Sequence, residues 1–284
     1  MSIEKYLSNI ESFKGKKIII TGATSGIGLE LAKHLIKKDA QLVILARNPS
    51  KADKVKKELL GINPKGIIDI VIYDQSDYQL IDKACEIIKE KHSDFYALVA
   101  NAGILYPPKG ENSKQGYPLT IDTNFLGLKR FLDNMTSSYK GKRFVMHGSL
   151  VAVSYVSKKV DIYNGKYTLF KQYNLSKACV EALWHHYLTD NSDNEFILCE
   201  PGVVSTDIFR GFNWFFRVVG GWFVRVFSHS PRKSALTLLK ALSNHSKNGD
   251  YIVPRGIFTI FGYPKYKKFP NHRKREYLIN KVRN

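Results

Sequence analysis

Near its start the chain reads Ile18-Ile19-Ile20-Thr21-Gly22-Ala23-Thr24-Ser25-Gly26-Ile27-Gly28, and this stretch decides the fold. A β-branched run leads directly into glycines spaced Gly-x3-Gly-x-Gly, and an amphipathic pattern follows from Leu29 to Lys37. The order is strand, tight turn, helix. Glycine lets the backbone turn sharply and lets another group approach it closely. The helix that follows opens with unpaired N–H groups and the positive end of its dipole. Such a unit binds the pyrophosphate of a dinucleotide. Gly22, Thr24, Ser25, Gly26, Ile27 and Gly28 are the residues that would line it.

Outward from this turn, strand-like runs alternate with helical patterns. The strands read are Lys17–Thr21, Gln41–Leu45, Ile67–Tyr73, Tyr96–Ala100, Arg143–His147, Glu195–Cys199 and Tyr251–Val253. Helical spacing falls near 27–38, 50–60, 76–92, 118–138, 172–189 and 231–246. The early strands carry polar residues only at their ends, as burial on both faces requires. The pattern predicts an α/β fold, a Rossmann-type doubly wound parallel sheet of about seven strands. The chain is read as one domain over 1–261, with an atypical aromatic segment at 207–230 and a basic tail at 262–284.

With 284 residues, 44% of them hydrophobic, the chain suffices for one large core. Cys85, Cys179 and Cys199 lie in apolar patterns without metal-ligand spacing, so buried free thiols are expected and no metal site is assigned. No signal peptide and no spanning helix are read, which implies a cytoplasmic protein. The net charge of +19 is concentrated late: residues 205–284 carry 16 Lys/Arg against three acids. That excess implies either a solvated basic surface or an anionic partner.

The second strand ends Leu45-Ala46-Arg47-Asn48, with no acid where NAD-binding units place one for the ribose hydroxyls. Arg47 suits a 2′-phosphate instead, so NADP(H) is expected as the preferred cofactor, with NAD(H) as the alternative.

The form Thr-Gly-x-x-x-Gly-Ile-Gly resembles the short-chain dehydrogenase/reductase family. The resemblance implies further residues of the cofactor site. Asp74, in Tyr73-Asp74-Gln75, stands where the family meets the adenine; Gln75 departs from the apolar residue common after it. Asn101-Ala102-Gly103 matches the motif that fixes the central sheet against the cofactor. Pro201-Gly202 and the downstream Thr206 match the motif near the nicotinamide amide.

Interconverting a carbonyl and an alcohol requires a group that gives or takes a proton at the oxygen. A tyrosine can do this if a lysine cation four residues on stabilises its phenolate. The spacing Tyr-x-x-x-Lys occurs five times here: Tyr155/Lys159, Tyr167/Lys171, Tyr173/Lys177, Tyr263/Lys267 and Tyr277/Lys281. Context selects Tyr173-Asn174-Leu175-Ser176-Lys177-Ala178, which opens a long amphipathic pattern and matches the family form. Tyr167/Lys171 is the rival. Ser149 ends the fifth strand and could bond the substrate oxygen. It lies 24 residues before Tyr173, a longer gap than many members show. The retinol-dehydrogenase-like branch carries a segment of similar size, which Asp161–Gln172 resembles. Asn124, in Asp122-Thr123-Asn124-Phe125, matches the family asparagine that organises a water relay to the lysine. An asparagine inside a helix costs propensity unless it bonds something. These matches cover about residues 15–206; the last 80 residues carry little of them.

Residues 209–227 read FRGFNWFFRVVGGWFVRVF, eight aromatics in nineteen positions, with an arginine face beside an aromatic face. This is the pattern of an interfacial helix. The resembling family carries a variable loop over its pocket here, so a substrate lid, alone or together with membrane contact, is expected, and a dimer contact is the remaining alternative. With the basic tail it offers an anionic membrane surface as partner. No nucleic-acid module is recognised. The sequence thus points to an NADP(H)-dependent oxidoreductase acting on a bulky apolar carbonyl or alcohol. The alternative is a dinucleotide-sensing scaffold of the same fold without turnover, and self-association is left open.

Overall fold

The computed structural model describes residues 2–105, 111–155, 160–163, 168–190, 193–202, 230–256, 259–269 and 276–283. All seven strands read from the sequence are present, with ends shifted by at most one residue: β1 (Lys17–Thr21), β2 (Gln41–Ala46), β3 (Ile68–Ile72), β4 (Ala97–Ala100), β5 (Arg143–His147), β6 (Glu195–Cys199) and β7 (Tyr251–Pro254). An eighth, β8 (Pro264–Lys267), pairs antiparallel with β7, while the others run parallel in the order β3-β2-β1-β4-β5-β6-β7-β8.

Strand periodicity sorts the core into two layers. Ile18 and Ile20 point to one face with Leu42, Ile44, Val99, Val145 and Ile197. There they meet α2 (Gly26–Ile36), α3 (Pro49–Ile62) and α8 (Pro231–Ala241) through Leu31, Leu35, Val55, Leu59, Leu236 and Leu239. Ile19 points the other way with Val43, Leu45, Leu98, Phe144 and Phe196. That face is covered by α4 (Tyr78–Lys91), α6 (Gly127–Ser138) and α7 (Leu169–Asp190), through Ile81, Ile88, Phe131, Leu175 and Trp184. Each fully buried isoleucine of β1 contributes about 1.5–3 kcal/mol. A strand buried on both faces must therefore be apolar through its middle, as β1 is at Ile18-Ile19-Ile20.

The chain winds outward from β1 to β2 and β3, then crosses back to place β4 on β1's other side. The loops leaving β1 and β4 diverge there, opening a crevice at the C-terminal ends of the strands. Gly22 and Asn101 stand on its two sides, each just past the end of its strand.

Two element readings need correction. The single helix read over 118–138 is broken: a short turn α5 (Leu119–Ile121) runs into a π-helical turn at Asp122–Leu126 before α6 begins. The stretch 262–284, read as a tail, supplies β8 and α9 (Glu276–Arg283). β8 is short and rich in lysine, which hid its strand character. Helix α9 buries Leu278, Ile279 and Val282 in the core layer that also contains Trp184 and Tyr187 of α7. An unread N-terminal helix, α1 (Ile3–Ser8), starts at Ser2, whose side chain accepts from the Lys5 N–H. Its Tyr6 ring stacks on Tyr263 with centroids 5.3 Å apart. Cys85, Cys179 and Cys199 are all buried thiols, as read. Among the described residues, no helix is long and apolar enough to cross a membrane.

Candidate active site

The glycine turn is built as its sequence requires. Gly22 has a φ of +70°, a region L side chains rarely adopt, and an added Cβ there would lie 2.9 Å from the Ala102 Cα. A Cβ on Gly28 would come within 2.4 Å of the Gly22 carbonyl and 2.6 Å of the Asn101 amide nitrogen. Ser25 stands at the N-cap of α2 but makes no side-chain capping bond, so the first-turn N–H groups from Gly26 to Gly28 have no side-chain partner among the described residues. The bare turn, the close strand ends and the uncapped helix form a cradle that side chains would fill. This donor set fits a pyrophosphate.

Asn101 does its work inward. Its side-chain N–H₂ donates to the Thr21 carbonyl at 3.1 Å and the Gly22 carbonyl at 3.4 Å. Thr21, which sequence reasoning passed over, accepts at Oγ1 from the backbone N–H groups of Asn101 (3.0 Å) and Ala102 (2.9 Å). The motif Asn101-Ala102-Gly103 is thereby fastened to the glycine turn across β1 and β4.

Arg47 lies exposed at the end of β2 and makes no ion pair among the described residues. Asp74 is half-buried after β3. Its Oδ1 accepts from the Ser76 N–H at 2.9 Å and from the Ser76 hydroxyl at 2.7 Å. Gln75, read as a departure, is buried and structural: its Nε2 donates to the Thr123 carbonyl at 2.6 Å and the Ala102 carbonyl at 3.4 Å, while Oε1 accepts from the Tyr73 hydroxyl at 3.0 Å. Pro201 and Gly202 follow β6 as read. Thr206, Tyr167 and the aromatic segment 209–227 lie outside the described residues.

The four candidate catalytic residues come from three elements and converge beyond β5. Asn124 sits in the π turn, and such turns occur frequently at functional sites. Its Oδ1 accepts from the Ile104 N–H at 2.8 Å and its Nδ2 donates to the Ile104 carbonyl at 2.8 Å and the Ser176 hydroxyl at 3.0 Å. The propensity cost of an asparagine here is met by these bonds. Ser176 in turn donates to the Tyr173 carbonyl at 2.7 Å. Burial pushes the Tyr173 phenol up, and the neighbouring Ser149 side chain pulls the other way. Lys177 is buried, and its Nζ donates to the His147 carbonyl at 3.0 Å. Burial pulls this lysine down to about 8. A Cβ on Gly103 would lie 3.1 Å from Asn124 Oδ1 and 3.8 Å from Lys177 Nζ, so the two motifs meet at this glycine.

His147 escaped the sequence reading. Its Nδ1 lies 3.0 Å from Asn101 Oδ1, and burial together with the charge of Lys177 lowers the imidazole to about 3. A lone histidine at the end of an apolar strand carries no sequence signal of its own.

Comparison with known proteins shows the family of the chain. Residues 16–213 match the family described as short chain dehydrogenase. A short-chain dehydrogenase/reductase of Emericella nidulans is 36% identical over 122 residues, which span 42% of this chain and 39% of that relative's length. A benzil reductase ((S)-benzoin forming) of Saccharomyces cerevisiae is 29% identical over 211 residues, 68% of this chain and 73% of that protein. Among solved structures, a short-chain type dehydrogenase/reductase from Mycobacterium ulcerans superimposes with a TM-score of 0.68 at 20% identity, covering 89% of this chain and 93% of that one.

Proposed function

This chain belongs to the short-chain dehydrogenase/reductase family, and on that premise we propose that it interconverts a carbonyl and an alcohol on a bulky apolar molecule. NADP(H) is the preferred dinucleotide in this reading and NAD(H) the lesser one. The observation that carries it is buried Lys177, one turn after Tyr173 on α7, whose Nζ donates to the carbonyl of His147 at the end of β5, two residues before Ser149. Gly22, Thr24, Ser25, Gly26, Ile27 and Gly28 would hold the pyrophosphate, Arg47 the 2′-phosphate and Asp74 the adenine. Asn101, Ala102 and Gly103 would fix the central sheet against the cofactor, and Pro201, Gly202 and Thr206 would border the nicotinamide amide.

The bound dinucleotide supplies or takes up hydride. The chain's own residues handle the oxygen and its proton. Ser149 holds the substrate oxygen by its hydroxyl. Tyr173, raised by burial, is protonated at neutral pH and is set to give that proton in the reductive direction. The Lys177 ammonium stabilises the phenolate left behind. Titrating at about 8, Lys177 is mostly cationic at neutral pH yet exchanges its proton readily. Asn124 fastens the Ile104 backbone to α7 and fixes the floor on which the lysine rests.

Two features support a bulky apolar substrate. Phe170, 57% exposed, stands one helical turn before Tyr173. A relative named benzil reductase acts, by that name, on an aromatic ketone. A second reading adds an anionic membrane surface as partner. It is favoured by the exposed Tyr266, Lys267 and Lys268 along the outer edge at β8 and by the aromatic composition of 209–227. The test of the first reading is NADPH oxidation by the full chain against a panel of aromatic and aliphatic ketones and aldehydes. Tight NADPH binding without oxidation by any of them would favour the silent scaffold instead.

A further inference from the structure

Between the glycine turn and the lysine stands one buried imidazole. His147 ends β5, paired in register with Cys199 of β6. Its Nδ1 lies 3.0 Å from Asn101 Oδ1. The Asn101 amide cannot be turned over, because its nitrogen already donates to the Thr21 and Gly22 carbonyls. Its oxygen must then accept, and Nδ1 must carry the proton. The same residue's main-chain carbonyl receives the Lys177 ammonium at 3.0 Å.

We propose that His147 is a positioning residue that couples the two halves of the site: its imidazole, fixed as the Nδ1–H tautomer, holds the Asn101 amide beneath the glycine turn while its carbonyl seats Lys177. The proposal rests on the reading of Lys177 as the phenolate-stabilising lysine. The chemistry explains why histidine serves here. An aliphatic side chain would leave the half-buried Asn101 Oδ1 without this donor. A cationic one would set like charge beside Lys177. The imidazole donates, fills the space and stays neutral, since burial and the lysine's charge keep it unprotonated. Lys177 is the charged group that faces it, and Asn101 the polar one.

The first test is made on the wild-type apo chain, by long-range 1H–15N spectra of the imidazole nitrogens. The chain has eight histidines, and the His147 signals are identified as those missing from His147→Asn. The expected pattern is a protonated Nδ1 and a bare Nε2, unchanged between about pH 5 and 9, where an ordinary histidine titrates. An Nε2–H tautomer, or a titration in that range, would overturn the proposal.

The second test compares His147→Leu with His147→Asn, whose amide can replace the Nδ1 donor. His147→Leu should weaken NADPH binding roughly tenfold, as for loss of one buried hydrogen-bond partner. It should also move the pH midpoint of alcohol oxidation upward, because the end of β5, freed from its tie to Asn101, holds its carbonyl less firmly against the Lys177 ammonium, which then stabilises the Tyr173 phenolate less. His147→Asn should restore both. A folded His147→Leu with wild-type affinity and pH midpoint contradicts the coupling, as does His147→Asn failing as badly as His147→Leu. If His147→Leu does not fold, the wild-type tautomer still decides. A chain without turnover on any carbonyl would sink the proposed function, yet leave the tautomer and the NADPH affinities readable.

Discussion

Gln75 Nε2 donates to the main-chain carbonyl of Thr123 at 2.6 Å, tying the end of β3 to the π turn that presents Asn124. A widened turn breaks the regular i→i−4 ladder, and buried backbone groups must find partners. Gln75 supplies one, and its own carbonyl oxygen is engaged by the Tyr73 hydroxyl.

Gln75→Leu should therefore strand the Thr123 carbonyl and the Tyr73 hydroxyl in a buried layer. Each unsatisfied buried group costs about 1–3 kcal/mol. Chemical denaturation should show a loss of at least that size, with kcat falling alongside as the Asn124 turn relaxes. Unchanged unfolding free energy would mean that the Gln75 contacts hold nothing in place.

Lys177 gives a pH signature to stability. Its folded-state value is about 8, below the ordinary lysine value near 10.5. Between those two pH values the unfolded chain holds the proton and the folded chain does not, so stability rises with pH across that window. Below about 8 both states hold it, and the burial cost, on the order of 3 kcal/mol, is fully present. Lys177→Met should accordingly melt higher than the wild-type apo protein at pH 7, less the loss of the bond to the His147 carbonyl. That advantage should shrink toward pH 10. A difference in Tm that stays flat across the range would contradict this assignment of the buried charge.

Arg47 stands exposed where NAD-binding units carry an acid. Arg47→Ala should weaken NADPH binding by roughly tenfold or more, in line with a charge-assisted contact of about 1.5–3 kcal/mol, and leave NADH nearly unchanged. Titrations with the two dinucleotides check this. Equal losses for both would remove the 2′-phosphate role.

The aromatic and basic features of the last third make a separate prediction. Aromatic insertion is insensitive to salt, whereas attraction to anionic lipid falls as the Debye length shortens. Binding to anionic liposomes should thus be weakened by high salt without being abolished, and Trp222→Glu with Phe223→Glu should release the protein while NADPH affinity persists. No binding to such liposomes at low salt would leave 209–227 as a lid or a contact between copies.

Much of this architecture was legible in the sequence because burial on two faces forces apolar runs such as Ile18-Ile19-Ile20, and because the crevice needs bare glycines at Gly22 and Gly28. The choice of Tyr173 among five spaced pairs rested on its neighbours, and Ser176 has a physical place there as the acceptor for Asn124 Nδ2. What escaped was set by tertiary contact. The π turn is met by Gln75, 48 residues away in sequence. β8 is held by its pairing with β7 rather than by any apolar pattern of its own. His147 and Thr21 act through groups brought to them by neighbouring strands, and no local spacing announces that.

The central claim is that Tyr173 handles the substrate proton, and Tyr173→Phe tests it most directly. Turnover of the best carbonyl substrate and NADPH affinity are measured on the same preparation. Turnover should fall by ~10²–10⁴-fold, the usual scale for loss of a general acid, while NADPH binds as in the wild type. If Tyr173→Phe keeps wild-type turnover, and Tyr167→Phe loses it, the assignment of Tyr173 is contradicted.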